Sequence, residues 1–62
     1  MQIVKYVIPK EDIIDDGLIL LDKDIIYTVI RQGKYFITVM DNFSQLYGLN
    51  KKYYEDKLEF KY

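Results

Sequence analysis

The sequence predicts an all-β fold, a small five-stranded barrel built around a central hairpin with a longer first connection. Three observations predict it. The runs Ile25-Ile26-Tyr27-Thr28-Val29-Ile30 and Tyr35-Phe36-Ile37-Thr38-Val39-Met40 flank the short polar break Arg31-Gln32-Gly33-Lys34. β-Branched and aromatic runs around a glycine-containing break are the pattern of a hairpin. Alanine is absent and proline occurs once, whereas Ile, Tyr, Lys and Asp are abundant, a composition that disfavours packed helices. Finally, Lys57-Leu58-Glu59-Phe60-Lys61-Tyr62 alternates strictly, so a strand there puts Leu58, Phe60 and Tyr62 on one face.

Taken in order, Gln2 to Ile8 reads as the first strand, ended by Pro9, which removes a ladder donor. Lys10 to Gly17 is a polar connection in which Glu11 to Gly17 suits a single helical turn closed by a left-handed Gly17. Leu18 to Leu21 is apolar, and Asp22-Lys23-Asp24 turns the chain into the hairpin. Two hairpin loops compete. A Gln32-Gly33 loop groups Ile26, Thr28, Ile30, Tyr35, Ile37 and Val39. An Arg31-Gln32-Gly33 loop, with Gly33 left-handed in a G1 bulge, groups Tyr27, Val29, Tyr35, Ile37 and Val39, and is preferred. The opposite face then carries Ile26, Ile30, Phe36 and Met40 and is also apolar, which implies a cover for it, from self-association or a permanent partner. Asp41 to Ser44 reads as a turn, Gln45 to Leu49 as a strand with Gly48 at a bulge or bend, and Asn50 to Asp56 as a polar and aromatic connection.

A chain of 62 residues forms a single domain, residues 1–62, and buries only about 60% of the surface its unfolded form exposes. With neither Cys nor His, disulfides and ordinary zinc sites cannot staple it, so the core rests on aliphatic and aromatic side chains. Net charge is −1; residues 1–31 carry four cationic and six acidic side chains, residues 32–62 five and four. Such a balance builds no general attraction to duplex nucleic acid. Apolar runs are too short for a membrane span or a signal-peptide core, which makes the cytoplasm the expected location and a membrane partner unexpected.

Gly17-Leu18, Ile26-Tyr27-Thr28-Val29, Tyr35-Phe36-Ile37, Asp41-Asn42, Tyr47 and the closing Leu58-Glu59-Phe60 together resemble the small SH3-like β-barrel proteins of phages and prophages of AT-rich Gram-positive bacteria. The resemblance spans nearly the whole chain in short pieces. It departs where Phe43-Ser44 replaces the usual glycine after the third strand and where Asp22-Lys23-Asp24 replaces the glycine before the Tyr-x-Val strand. It implies an SH3-like barrel that serves as a binding or inhibitory accessory, here one acting on a host or defence protein.

The inventory of side chains argues against catalysis, since Ser44 is the lone serine and no Ser/His or Cys/His arrangement exists. No catalytic residue, metal ligand or cofactor is assigned. Asp22-Lys23-Asp24 starts like an EF-hand loop, yet Ile26 stands where a ligand belongs and no closing glutamate follows. The acids read as solvated loop charge rather than a carboxylate pair or a phosphate mimic. Seven tyrosines and three phenylalanines exceed what so small a barrel buries, and tyrosine gives rigid, half-polar contact area at protein interfaces. Phe36, Met40, Tyr47, Tyr53, Tyr54 and Tyr62 are therefore the candidate partner-binding residues. The alternative is single-stranded nucleic acid on Lys51, Lys52, Tyr53 and Tyr54, lysines on phosphates and rings on bases.

Overall fold

A computed structural model describes residues 2–62. The described residues form seven strands: β1 (Tyr6–Pro9), β2 (Ile13–Asp15), β3 (Leu18–Leu21), β4 (Tyr27–Gln32), β5 (Phe36–Met40), β6 (Leu46–Asn50) and β7 (Leu58–Lys61). Five of them make one curled antiparallel sheet in the order β6-β5-β4-β1-β7, and β2 with β3 makes a separate small hairpin. The fold is thus all-β, and the two strands beyond the expected five lie in the long first connection.

That connection corrects the helical turn expected over Glu11 to Gly17. Asp15 pairs with Leu18, leaving Asp16-Gly17 as a two-residue loop with φ of 53° and 77°. Two consecutive left-handed residues define a type I′ turn, whose twist matches that of the strands it joins, and Asp-Gly is a favoured pair for it. Gly17 is left-handed as expected, but as a hairpin corner rather than a helix cap.

The central hairpin is present, with a loop that neither sequence alternative contained. Val29 pairs with Val39, whereas Arg31 pairs with Thr38 and Gln32 with Ile37, so Ile30 is the extra residue of a bulge inside β4. The Gly33 amide then donates to the Phe36 carbonyl at 2.8 Å, and Lys34-Tyr35 forms the turn. Gly33 is not left-handed; Gly17 alone of the glycines has a positive φ. The bulge moves from the loop into the strand, where extra twist lets β4 pair with β1 through Tyr27 and Thr28 and with β5 beyond them.

Pairing rows show which face is inside. Phe60, Val7 and Tyr27 form one row, Val29, Val39 and Tyr47 a second, Ile37 and Leu49 a third. All lie on the concave side, joined there by Val4, Ile13, Leu21 and Leu58, and this is the core. The expected core face is right in Tyr27, Val29, Ile37 and Val39 and wrong in Tyr35, which is 64% exposed at the turn. The opposite face, with Ile26, Ile30, Phe36 and Met40, stays open to solvent; no element among the described residues covers it. Gly48 forms no bulge, pairing regularly with Thr38. Pro9 closes β1 as its last paired residue, opposite Leu58, and its carbonyl accepts from the Asp24 amide at 2.9 Å.

Side-chain hydrogen bonds fasten the parts the ladders leave loose. The Tyr27 hydroxyl accepts from the Asp22 amide and donates to Asn42 Oδ1, both at 2.7 Å. Asn42 Nδ2 in turn donates to Asp22 Oδ2 at 2.9 Å and to the Ile19 carbonyl at 3.1 Å. One tyrosine and one asparagine thereby tie the β2–β3 hairpin to β4 and to the β5–β6 turn. That turn is the expected one, Asp41 Oδ1 accepting from the Phe43 and Gln45 amides at 2.8 and 3.0 Å. At the other end Gln32 acts as a side-chain rung, accepting from the Val4 amide at 2.7 Å and donating to the Gln2 carbonyl at 2.8 Å.

Candidate partner-binding surfaces

The segment joining β6 to β7 is a run of tight turns started by Asn50. Its Oδ1 accepts from the amides of Lys52 and Tyr53, each at 3.0 Å, and its carbonyl from the Tyr54 amide at 3.0 Å. An asparagine in this capping role fixes the direction of the chain just before the two tyrosines. It sends them to different environments. Tyr54 turns inward against the core edge, its hydroxyl 3.4 Å from that of Tyr47. Burial, with the Tyr47 hydrogen bond second, pushes its phenol up to about 12. Tyr53 stays 66% exposed, its ring edge-on to Tyr54 with centroids 4.9 Å apart at 84°. The Lys57 ammonium lies over both rings, 5.0 Å from the Tyr53 centroid and 5.9 Å from that of Tyr54. An exposed ring wedged by a neighbour and capped by a cation loses little freedom on binding.

Tyr53, Tyr54 and Lys57 form one wall of an open cavity of about 240 Å³, and Glu11, Asp12, Ile13 and Ile14 form the other. The second wall is held in place by the β2–β3 hairpin and by Asp12 Oδ1, which accepts from the Lys23 amide at 2.8 Å. Lys51 and Lys52 line a different hollow, of about 490 Å³, with Glu55, Phe60 and Tyr62. The contiguous Lys51-Lys52-Tyr53-Tyr54 motif is therefore divided by the turn. The six candidate contact residues are dispersed likewise: Phe36 and Met40 lie on the convex face, Tyr47 and Tyr54 at the core edge, Tyr53 at the cavity and Tyr62 beside the second hollow. Lys61 pairs with Glu59 and holds that carboxyl below its ordinary range.

Glu11, Asp12, Ile13, Ile14 and Lys57 complete the cavity without having been candidates. The signal for the first four was Asp16-Gly17, which as a hairpin corner places Ile13 and Ile14 on a strand. Among the described residues no three acidic side chains converge as a metal site requires, and no helix is long and apolar enough to cross a membrane. Comparison with protein-family models, curated proteins and solved structures finds no match to this chain.

Proposed function

We propose that this chain is a non-enzymatic protein-binding module on a small SH3-like β-barrel, an accessory of a phage or mobile element that modulates or inhibits a host or defence protein in the host cytoplasm. The architecture in this reading draws on the five-stranded antiparallel sheet and the long first connection, and the biological setting on the resemblance alone. The observation that carries the binding reading is Tyr53, two-thirds exposed yet held by Tyr54 and Lys57 at the rim of a cavity with a mixed acidic and aliphatic far wall. Preorganised aromatic rings beside a pocket are where interface energy concentrates.

The test separates contact from folding. Tyr53→Ala changes stability by under about 0.5 kcal/mol, as exposed substitutions do, and weakens the complex with a partner recovered from host lysate by about 2 kcal/mol. Calorimetric titration against the purified partner reads the second number; equal affinity of the two proteins removes the cavity from the reading. Single-stranded nucleic acid remains the alternative because Lys51 and Lys52 share a hollow with the exposed Tyr62 ring. Under that alternative Lys51→Gln with Lys52→Gln lowers oligonucleotide affinity and flattens its salt dependence by roughly one unit for each phosphate no longer neutralised. Protein binding through Tyr53 leaves that variant close to wild type at physiological salt, since exposed lysines mainly steer encounter.

A further inference from the structure

The five-stranded sheet ends in two edges of opposite character. β7 is charged, and its Glu59 and Lys61 are already paired with each other, which is how edges are blunted against further pairing. β6, Leu46-Tyr47-Gly48-Leu49-Asn50, carries neither charge nor proline. Asp41 and Lys51 amides donate across to the Gln45 and Tyr35 carbonyls, each at 2.8 Å. By the alternation of an antiparallel ladder, residues 45, 47, 49 and 51 therefore face β5. The backbone groups of Leu46, Gly48 and Asn50 point the other way, where no strand of the described residues lies; of these the Asn50 carbonyl is already taken, by the Tyr54 amide at 3.0 Å.

We propose that β6 is a dimerisation edge, pairing antiparallel with β6 of a second copy about a two-fold axis at Gly48. A strand edge whose outward-facing residues recur at i, i+2 and i+4 is self-complementary about its middle residue. Gly48 exchanges both bonds with its copy, while each Asn50 amide donates to the Leu46 carbonyl of the other chain. The side chains agree with that register. Met40 sits across from Leu46, and Phe36 from Asn50, so on the convex face a row Phe36, Asn50, Leu46, Met40 runs unbroken from one copy into the next. Phe36 is 52%, Met40 43% and Leu46 56% exposed, and no charge of β5 or β6 interrupts them. Gly48 bears no side chain, and the Phe36 ring lies 3.9 Å from where a Cβ would stand, so the rings of both copies close over the axis. Phe36, Met40 and Leu46 of both copies come together along that edge, six half-exposed apolar side chains covered by one symmetric contact. A second copy is the occupant that both the hydrogen-bond spacing and the uncharged surface fit.

Gly48→Lys tests it. The position is not left-handed and a Cβ there meets only the Phe36 ring, at an ordinary 3.9 Å, so the fold accepts the change, but across the axis it sets two ammonium groups face to face. Sedimentation equilibrium of the wild-type chain shows a concentration-dependent dimer, and Gly48→Lys raises its dissociation constant by about tenfold or more. An equimolar mixture of Gly48→Lys with Gly48→Glu restores association, while Glu59→Lys on the far edge and Tyr53→Ala at the cavity leave the dimer unchanged. Concentration-dependent amide protection at Gly48 and Asn50 in the wild type supplies the same answer without any variant. A strict monomer at every concentration, a dimer untouched by Gly48→Lys, or no gain in protection at those amides overturns the proposal.

Discussion

Removing one oxygen from Tyr27 tests how the β2–β3 hairpin is held. The ring is 8% exposed and packs in the core, so Tyr27→Phe keeps the packing and deletes only the hydroxyl. Two bonds of 2.7 Å go with it, one accepted from the Asp22 amide and one donated to Asn42 Oδ1. Each partly buried bond contributes about 1 kcal/mol net, and water reaches Asp22 and Asn42 to soften the loss, so the cost is about 2 kcal/mol. Total stability at this length is roughly 3–9 kcal/mol, which makes the effect large. The melting temperature falls by about 10 °C and the urea midpoint by about 2 M at a slope near 1 kcal/mol/M. Tyr35→Phe, at an exposed ring, is the control and changes neither. A double-mutant cycle with Asn42→Ala isolates the Tyr27–Asn42 bond at a coupling of about 1 kcal/mol. An unchanged midpoint in Tyr27→Phe, or strict additivity in the cycle, refutes the hydroxyl as the fastener.

The two loop glycines separate in the same assay. Gly17→Val costs about 1–2 kcal/mol because φ is +77° there although the space is open, whereas Gly33→Val, outside the left-handed region, costs little. Equal costs refute the assignment of corners. Tyr54→Ala empties a place at the core edge and costs about 2–4 kcal/mol, in contrast to Tyr53→Ala, by chemical denaturation. Tyr54 also predicts an alkaline effect: its folded phenol keeps its proton to about 12 while the unfolded one loses it near 10.0. Between those values the unfolded state binds fewer protons, so stability is full below pH 10 and declines as pH rises toward 12. Tyr54→Phe makes that decline shallower; an identical pH profile would show that the phenol titrates normally.

Local chemistry made much of this chain legible before any contact was known. The all-β class, the central hairpin, the Asp41 turn, the inward Tyr27, Val29, Ile37 and Val39, and the strand through Leu58 and Phe60 all follow from β-branched runs, alternation and residues that bond their own backbone. Asp16-Gly17 was legible too, yet the exposed Ile14, Leu18 and Ile19 around it obscure the alternation that marks a hairpin. What sequence could not decide was where irregularity is placed. A bulge at Ile30 or at Gly33 satisfies the same local preferences, and the choice rests on β4 having to pair with β1 and β5 at once, a requirement of the curled sheet. The same holds for the tyrosines. Tyr53 and Tyr54 are chemically identical neighbours, and only the Asn50 turn, by setting one against Tyr47 and leaving the other beneath Lys57, places Tyr54 at the core edge and leaves Tyr53 exposed.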